Sequence, residues 1–407
     1  MKMPLFWNGF RKSCQLFGMD SEKVVLLYKI TFMITRLLDQ TIHKRIGQGK
    51  AIIIMGPRQV GKTTLLKNLK YDADEVLWLN GDETDVQQLF SEMSASRLSA
   101  ILGKKKILII DEAQRIENIG LRIKLVTDTL KDIQVFASGS SSFELANKIK
   151  EPLTGRKWEF NMYPVSFAEM VNHHGLLEEK RLMPHRLVYG YYPEIVTNPG
   201  DEKDRLKLIS ESYLYKDILS WENIQKPDKL NKLLQALAFQ VGSLVSYHEL
   251  GQLCGIDSKT VEKYISLLEK SFIIFKLNSF SRNLRNELNS SKKIYFYDNG
   301  IRNAVIANFN QIENRTDIGP LWENFLMSER MKYNSYRQIW NNSYFWRTKE
   351  QQEIDYLEEE NGQIKVFEFK WNANKKTKIP TAFANAYPNA EFAVINKDNF
   401  ETFLYDF

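Results

Sequence analysis

The first chemical pattern of the chain lies in residues 56–64, where two glycines flank a stretch that ends in a lysine and two threonines. The nine residues are Gly56, Pro57, Arg58, Gln59, Val60, Gly61, Lys62, Thr63 and Thr64. Glycines at these places let backbone N–H groups turn inward around phosphate oxygens, at the positive end of the following helix. The spacing is that of a phosphate-binding loop, so the sequence predicts that this segment binds the phosphates of ATP.

Two side chains of this loop carry chemistry that the backbone cannot supply. Lys62 is expected to reach the β- and γ-phosphates as a positive charge, and the Thr63 hydroxyl to complete the coordination of Mg²⁺. The flanking segments suit these roles. Residues 51–55 form an apolar run typical of a buried parallel strand, and residues 64–69 have leucines at helical spacing.

A second apolar run, residues 107–110, ends in two adjacent carboxylates, Asp111 and Glu112. Asp111 is expected to hold the Mg²⁺ shell, and Glu112 to orient and deprotonate the attacking water. Either pattern alone could arise by chance in a globular protein. Both together, in this order, favour ATP hydrolysis over simple binding.

Two further groups could complete the ATPase site. The run 134–138 ends in hydroxyls beside Gly139, so Ser138 or Ser140 could sense the γ-phosphate, although hydroxyls there also make ordinary turns and helix caps. Arg156 could act on the phosphates as an arginine finger, in cis or from a neighbouring subunit. It could equally be a surface arginine.

Composition is that of an ordinary globular protein. The chain has 407 residues, of which 43% are hydrophobic and 26% charged, and this length suggests two or three domains. No apolar run reaches the roughly 18 residues of a spanning helix. The two cysteines, Cys14 and Cys254, have no metal-ligand spacing. We therefore expect a cytoplasmic protein without a membrane segment or a disulfide framework.

Changes in pattern along the chain predict successive regions. They are an N-terminal extension at 1–32 with Met33 as an alternative start, a P-loop ATPase domain at 33–165, a helical lid or connector at 166–228, a winged-helix-like region at 229–282 and a final domain at 283–407. In the winged-helix region a buried stripe is expected from Val261, Tyr264, Ile265 and Leu268. The other face of that helix carries mixed charges, and the net charge is only +6. DNA contact, protein contact and a spacer role all stay open.

The final domain holds a second constellation of charged residues, formed by Glu323, Asp355, Glu368 and Lys370. The dipeptide 361–362, Asn-Gly, predicts a two-residue hairpin turn, which places Asp355 directly opposite Glu368. Opposed residues share a face with Cβ atoms about 5 Å apart, and Lys370 falls on the same face.

Two carboxylates this close repel each other unless a cation lies between them. Asp355 and Glu368 therefore suit Mg²⁺ or Mn²⁺, and Lys370 could position a water or stabilise a phosphate under attack. This is nuclease chemistry. The structural alternative is a solvated salt bridge between Glu353 and Lys370.

The order Asp355, then Glu368-x-Lys370, preceded by the helical Glu323, resembles the PD-(D/E)XK restriction-endonuclease-like superfamily, although Ile354 stands where that motif expects proline.

Over residues 33–400 the chain resembles prokaryotic AAA-type ATPases with a C-terminal domain of unknown function on that fold. Besides the phosphate loop, the motifs are Ile110-Asp111-Glu112-Ala113-Gln114, Gly139-Ser140-Ser141-Ser142, Leu153-Thr154-Gly155-Arg156, Tyr163-Pro164-Val165-Ser166-Phe167, Tyr295-Phe296-Tyr297-Asp298-Asn299-Gly300 and Glu368-Phe369-Lys370. The resemblance implies an α/β fold: a P-loop ATPase domain with a parallel sheet, a helical lid and winged helix, then an α/β restriction-endonuclease-like domain.

The sequence thus predicts a Mg²⁺-dependent ATPase whose hydrolysis cycle drives a C-terminal nuclease-like module acting on nucleic acid. The alternative is an ATP-driven switch or scaffold, in which an inactive nuclease-like domain binds a protein partner. A homo-oligomer would suit Arg156 acting in trans. No membrane partner is expected.

Overall fold

The computed structural model describes residues 33–140, 152–221, 226–281, 292–375 and 377–405, with the backbone alone for 212–221. The predicted extension at 1–32 lies outside the described residues, as do Ser141 and Ser142 of the hydroxyl-rich motif.

A five-stranded parallel sheet forms the core of the N-terminal domain. Its strands are β1 (Ala51–Met55), β2 (Val76–Asn80), β3 (Ile107–Asp111), β4 (Gln134–Gly139) and β5 (Lys157–Asn161). The helices of this domain are α1 (Leu37–His43), α2 (Lys62–Asn68), α3 (Thr84–Ser91), α4 (Ala95–Leu102) and α5 (Ile119–Thr129). Strands β1, β3 and β4 are almost wholly buried, as strands of a parallel sheet covered on both faces are. The predicted α/β class with a parallel sheet is confirmed.

The strand order brings the predicted ATPase residues to one edge of this sheet. The order is β2-β3-β4-β1-β5, so β4 lies between the strand before the phosphate loop and the strand that ends in Asp111. All pairs are parallel, and their carboxyl ends therefore meet at the same edge. The phosphate loop, Asp111 and Ser138 lie at this edge.

A helical segment follows β5, as predicted for the lid or connector. Its helices are α6 (Phe167–His174), α7 (Leu176–Tyr189), α8 (Pro193–Val196) and α9 (Glu202–Trp221). The buried Asp298 ties this segment to the C-terminal half, because its Oδ2 accepts a 2.7 Å hydrogen bond from the Tyr191 backbone. A Cβ at Gly190 would lie 2.1 Å from Asp298 Oδ1. Asp298, in the motif at 295–300, therefore holds a packing junction.

Both helices and strands lie in the region predicted as a winged helix, and one further strand follows it. They are α10 (Pro227–Phe239), β6 (Leu244–Val245), α11 (Tyr247–Cys254), α12 (Ser258–Lys270), β7 (Ile274–Ser279) and β8 (Lys292–Phe296). The four stripe residues predicted on α12 are all buried, which confirms that face. Strand β8 pairs antiparallel with both β6 and β7. A winged-helix role in binding DNA stays a prediction.

The remaining elements complete the C-terminal half. They are α13 (Asn299–Val305), α14 (Ile318–Arg337), β9 (Asn342–Arg347), β10 (Glu353–Glu360), β11 (Gln363–Phe369), α15 (Thr381–Ala386), β12 (Glu391–Ile395) and α16 (Glu401–Leu404). The strands join β6, β7 and β8 in one seven-stranded sheet, ordered β12-β11-β10-β9-β7-β8-β6. Strand β7 pairs with β9 through Asn278 opposite Tyr344. The hydrogen bonds of this single sheet cross residue 282, and the domain boundary predicted there stays a prediction.

The predicted hairpin register is confirmed. Tyr356 lies opposite Phe367 and Glu360 opposite Gln363, so the loop has two residues. Both loop residues have positive φ, 51° at Asn361 and 79° at Gly362, as a type I′ turn requires. Among the described helices, none is both long and apolar enough to cross a lipid bilayer.

Candidate functional site

The phosphate loop leaves β1 at Met55 and passes tightly beside the chain that follows β5. A Cβ at Gly56 would lie 2.0 Å from the Met162 carbonyl oxygen, a distance that no side chain can occupy. Gly61 caps α2 in the left-handed region with φ 94°. Both loop glycines are therefore required by the backbone path, one for space and one for conformation.

The Lys62 side chain folds back along the loop. Its ammonium donates hydrogen bonds to the carbonyl oxygens of Gly56 at 2.9 Å and Pro57 at 2.7 Å. Lys62 is only 5% exposed, so its charge is held within the curve of the loop. Of the other loop residues, Val60 is buried, while Gln59 and Thr64 are exposed and Arg58 is half-buried.

Asp111 is the centre of a hydrogen-bonded group at the sheet edge. Its Oδ2 accepts a 2.8 Å bond from the Thr63 hydroxyl, and its Oδ1 accepts a bond from the Ser138 hydroxyl. The Glu112 backbone N–H also reaches Oδ1, at 3.2 Å. The two predicted Mg²⁺ ligands, Thr63 and Asp111, are thus in direct contact. An oxygen-rich pair at the mouth of a phosphate loop fits Mg²⁺ and a nucleoside triphosphate.

Glu112 is held in an uncommon conformation. Its φ of 49° places it in the left-handed region, which costs free energy in a residue other than glycine. Its carboxylate Oε2 accepts a 2.5 Å hydrogen bond from the Gln114 side-chain amide, which also donates to Ser140 Oγ at 3.1 Å. Gln114 therefore joins the predicted base to the predicted sensor. In the sequence, Gln114 stood out only as the last residue of the motif at 110–114, and no role was predicted for its side chain.

Arg156 lies at the opposite edge of the sheet from the phosphate loop. Its carbonyl oxygen accepts a 2.9 Å hydrogen bond from Ala51, the first residue of β1, whereas the loop follows the last residue of that strand. A five-residue strand spans about 16 Å. The guanidinium pairs at 2.6 Å with Asp128 and is 41% exposed. The prediction of an arginine finger in cis is wrong, and action in trans stays a prediction.

Arg36, which sequence reasoning missed, reaches the phosphate loop from the N-terminal side. It is 8% exposed, and its Nη1 donates a 2.6 Å hydrogen bond to the Val60 carbonyl oxygen. A cavity of about 360 Å³ lies beside this contact. Its lining includes Met33, Ile34, Thr35, Gly61, Thr64, Leu65, Asn68, Val165, Pro193 and Thr197. No local pattern marked Arg36, because its partners are far away in the sequence.

The side chains of Asp355, Glu368 and Lys370 lie together beside the β10–β11 hairpin, away from its turn. The Lys370 ammonium lies 2.7 Å from Glu368 Oε2 and 3.6 Å from Asp355 Oδ2, and the Phe369 backbone N–H donates to Asp355 at 2.8 Å. Burial, and then the neighbouring Asp355 charge, raises the pKa of Glu368 to about 7. The two carboxylates and the lysine therefore form one electrostatic unit.

Glu323 reaches a neighbouring part of this cluster, where strand β8 supplies its partners. Its Oε1 accepts hydrogen bonds from Lys293 at 3.1 Å and from the Tyr295 hydroxyl at 2.6 Å. Burial, followed by the Asp355 charge, raises the pKa of Glu323, and Lys293 opposes that shift. Lys293 and Tyr295 were missed as partners of Glu323 because they lie 30 and 28 residues away from it in the sequence.

The alternative salt bridge between Glu353 and Lys370 is absent. Glu353 pairs instead with Lys293 at 2.6 Å and Arg347 at 3.2 Å. Across the described parts of the chain, no three histidine, cysteine, aspartate or glutamate side chains converge as a metal-binding group. Asp355 and Glu368 fit a cation held by two carboxylates and otherwise by water, as Mg²⁺ often is.

Comparison with known protein families divides the chain into three matched parts. Residues 48–171 match the model of an AAA domain, residues 180–312 match a domain of unknown function (DUF8612), and residues 318–405 match another (DUF4143). None of these matches assigns an activity to the acidic cluster.

Similar full-length proteins come from bacteria and archaea. An uncharacterised protein of Haemophilus influenzae is 26% identical over 295 residues, which cover 64% of this chain and 72% of that protein. One of Mycobacterium tuberculosis is 24% identical over 333 residues, with coverage of 81% and 72%. Among solved structures, a Walker-type ATPase of Pyrococcus abyssi is 15% identical with a TM-score of 0.47, covering 67% of this chain and 96% of that one. The family match and the geometry at the sheet edge agree that residues 48–171 form a P-loop domain of the AAA ATPase type.

Proposed function

We propose that this chain hydrolyses ATP in a Mg²⁺-dependent reaction at the edge of the parallel sheet. The observation that carries the proposal is the 2.8 Å contact of Thr63 with Asp111, followed along the chain by Glu112, whose carboxylate is held by Gln114. A binding loop needs only the phosphate cradle, whereas a second carboxylate next to the metal-holding group supplies a base for water.

Each group has a role in that reaction. The loop N–H groups and Lys62 bind the triphosphate, while Thr63 and Asp111 would hold Mg²⁺, which would neutralise phosphate charge when bound. Glu112 accepts a proton from water as the water oxygen bonds to the γ-phosphorus, and ADP leaves with the electrons of the broken P–O bond. Gln114 holds Glu112 in place.

The cavity beside the loop suits the nucleoside part of ATP. Its volume of about 360 Å³ lies within the range of small-molecule sites. Apolar side chains such as Ile34, Leu65 and Pro193 would pack on the faces of a base, and Thr35 and Asn68 offer polar groups at its edge. The cavity adjoins Gly61 and Thr64, where the phosphates would enter.

Phosphate release from ATP, with Mg²⁺ or with a chelator, tests this proposal. Lys62→Ala should lower kcat/KM by about 10²-fold or more, and Glu112→Gln should lower kcat by about 10²–10⁴-fold while ATP still binds. Lys67→Ala is the matched control, because Lys67 is exposed on the same helix and should leave the rate unchanged. Tight ATP binding without turnover in the wild-type protein would overturn hydrolysis.

We further propose that ATP hydrolysis drives a C-terminal module that acts on nucleic acid. Asp355 and Glu368 would hold one Mg²⁺ or Mn²⁺, which would polarise a phosphodiester when bound. Lys370, 2.7 Å from Glu368, would orient a water or stabilise charge on the phosphate. This role rests on the convergence of two carboxylates and one lysine.

Labelled duplex and single-stranded DNA and RNA, with Mg²⁺ or Mn²⁺ and with or without ATP, test the module. Cleavage should be lost in Glu368→Ala Lys370→Ala. It should persist in Glu360→Ala Lys365→Ala, a control that alters exposed charges on the same hairpin. Intact substrates under every condition would overturn the nuclease role.

A second candidate is an ATP-driven switch whose C-terminal cluster binds a protein partner without turnover. The observation that favours it is the pairing of Glu323 and Glu353 with Lys293, which leaves fewer carboxylate oxygens for metal. An ATPase rate stimulated by DNA would favour the nuclease role. A rate indifferent to DNA, together with a protein captured in a pull-down, would favour the switch.

A further inference from the structure

Arg36 joins four separate parts of the molecule through its guanidinium. It donates to Val60 O at 2.6 Å, Tyr163 O at 2.6 Å, Glu169 Oε1 at 3.0 Å and the Tyr336 hydroxyl at 3.2 Å. Glu169 is fully buried and neutralises the charge. A buried arginine whose donors are distributed in this way fixes the relative positions of its partners, because leaving any one unpaired costs free energy.

The contact at Val60 bears on the shape of the phosphate loop. The preceding residue, Gln59, has φ 60°, in the left-handed region that non-glycine residues rarely adopt. Such a conformation persists only when surrounding contacts hold it. The Arg36 bond to the next carbonyl oxygen is one such contact, made by a buried charged donor.

Helix α14 of the C-terminal half binds the chain segment that follows β5. The segment 163–167 is bound at three alternate residues by side chains on one face of α14. Tyr336 OH accepts from Tyr163 N at 3.1 Å, Lys332 donates to Val165 O at 3.2 Å, and Glu329 accepts from Phe167 N at 2.7 Å. Spacings of three and four residues place these three side chains on one side of the helix.

This segment also touches the start of the phosphate loop. Met162 donates from its backbone N–H to Met55 O at 2.7 Å, and its carbonyl oxygen fills the space beside Gly56. The loop is therefore held at Gly56 by the chain that leads into segment 163–167, and at Val60 by Arg36. The contacts at Gly56 and at Val60 both depend on Tyr163, whose backbone bonds to Arg36 and to Tyr336.

We propose that Arg36 is a positioning residue of the ATPase site and that the Tyr336 hydroxyl sets its orientation, so that the C-terminal helix completes the nucleotide site. The inference rests on the proposed ATP hydrolysis. Tyr336 acts through Arg36, whose Nη2 bonds to both the Tyr336 hydroxyl and the Tyr163 carbonyl oxygen, without touching the phosphates. The same helix carries Glu323 of the acidic cluster, thirteen residues earlier and hence about 20 Å away along the axis.

Removing one hydroxyl tests the pair with little risk to folding. Tyr336→Phe should weaken binding of a fluorescent ATP analogue, lower kcat/KM for ATP, or both, by about three- to tenfold, the effect of one lost hydrogen bond. Tyr333→Phe removes a hydroxyl one turn earlier on the same helix and should keep wild-type values. Melting temperatures of both variants separate a kinetic effect from loss of folded protein.

A double-mutant cycle with Arg36→Lys, which keeps the charge but not the four-way geometry, shows whether the hydroxyl acts through Arg36. The expected result is that Tyr336→Phe has little further effect once Arg36 is lysine. Wild-type affinity and kinetics in Tyr336→Phe, or additive effects in the double mutant, would overturn the inference. Absence of hydrolysis in the wild-type protein would refute the proposed function alone, because analogue affinity still reports on the pair.

Discussion

The Gln114 side chain donates a 2.5 Å hydrogen bond to the Glu112 carboxylate, two residues before it in the chain. Gln114 is 2% exposed, and its amide also reaches Ser140 at 3.1 Å. The carboxylate is thus held toward strand β4, which runs between the two halves of the nucleotide site. A base that is oriented in this way loses less entropy when it engages water.

We predict that Gln114→Met slows turnover without weakening ATP binding. Methionine has nearly the same length but cannot donate, so Glu112 loses its orientation while the phosphate loop is untouched. We expect kcat to fall about tenfold or more, but by no more than the 10²–10⁴-fold that a general base contributes. Single-turnover kinetics and analogue affinity measure the two effects separately.

Gln134→Met is the control for this prediction. Its amide donates to Lys50 O at 2.9 Å at the far edge of the same sheet, away from the nucleotide site. A fall in kcat of equal size in both variants would assign the effect to general damage of the domain.

We predict that Gly56→Ala removes nucleotide binding. The added methyl would lie 2.0 Å from the Met162 carbonyl oxygen, so the loop or the chain after β5 must move. Loss of the phosphate cradle should raise the Kd for ATP by at least about tenfold, and titration of a fluorescent analogue measures it. Gly319→Ala is the control, since a Cβ there meets nothing within 4 Å. Wild-type affinity in Gly56→Ala would show that the loop adjusts freely.

Arg156→Ala should leave ATP affinity and the ATPase rate of an isolated chain unchanged. Its guanidinium pairs with Asp128 at the edge opposite the nucleotide site, so only a neighbouring subunit could receive it. A mixture of Arg156→Ala with Lys62→Ala chains therefore gives a clear answer, read as phosphate release. Recovery of activity in the mixture would establish a trans finger, and an unchanged rate in Arg156→Ala alone at all protein concentrations would exclude one.

The sequence could predict the features that depend on residues close together in the chain. The phosphate loop, the pair Asp111 and Glu112, and the hairpin register around Asn361 each depend on neighbouring residues, and the structure has all three. Local spacing determines such features, because a turn or a strand end places its own side chains.

What the sequence could not reveal depends on distant contacts. Arg36 and Tyr336 are 300 residues apart, and Lys293 meets Glu323 only because β8 joins the C-terminal sheet. The register shift between β9 and β10 and the parallel pairing of β7 with β9 likewise follow from tertiary packing. The alternatives for Arg156, a finger in cis, a finger in trans or a surface arginine, stayed open because its position along the chain does not tell which edge of the sheet it occupies.

Stability of the protein should depend on pH through Glu368. Burial, and then the Asp355 charge, raises the pKa of Glu368 in the folded protein to about 7 from an ordinary value near 4.5. The folded state therefore binds the proton more tightly than the unfolded state does. This contribution to stability is fully present below about pH 4.5 and is lost as pH rises through about 7. The stability is lost because the ionised Glu368 carboxylate must then be buried beside the charge of Asp355.

Glu368→Gln isolates this contribution, because the amide stays neutral at every pH. In the presence of a chelator, the melting temperature of the variant minus that of the wild type should rise between about pH 4.5 and 7 and then level off. Other buried acids, such as Asp298 and Glu329, have raised pKa values too, but they are common to both proteins and cancel in the difference. Glu360→Gln, at an exposed position of the same hairpin, should give a flat difference. A flat curve for Glu368→Gln would mean that Lys370 alone suffices to keep Glu368 ionised beside Asp355.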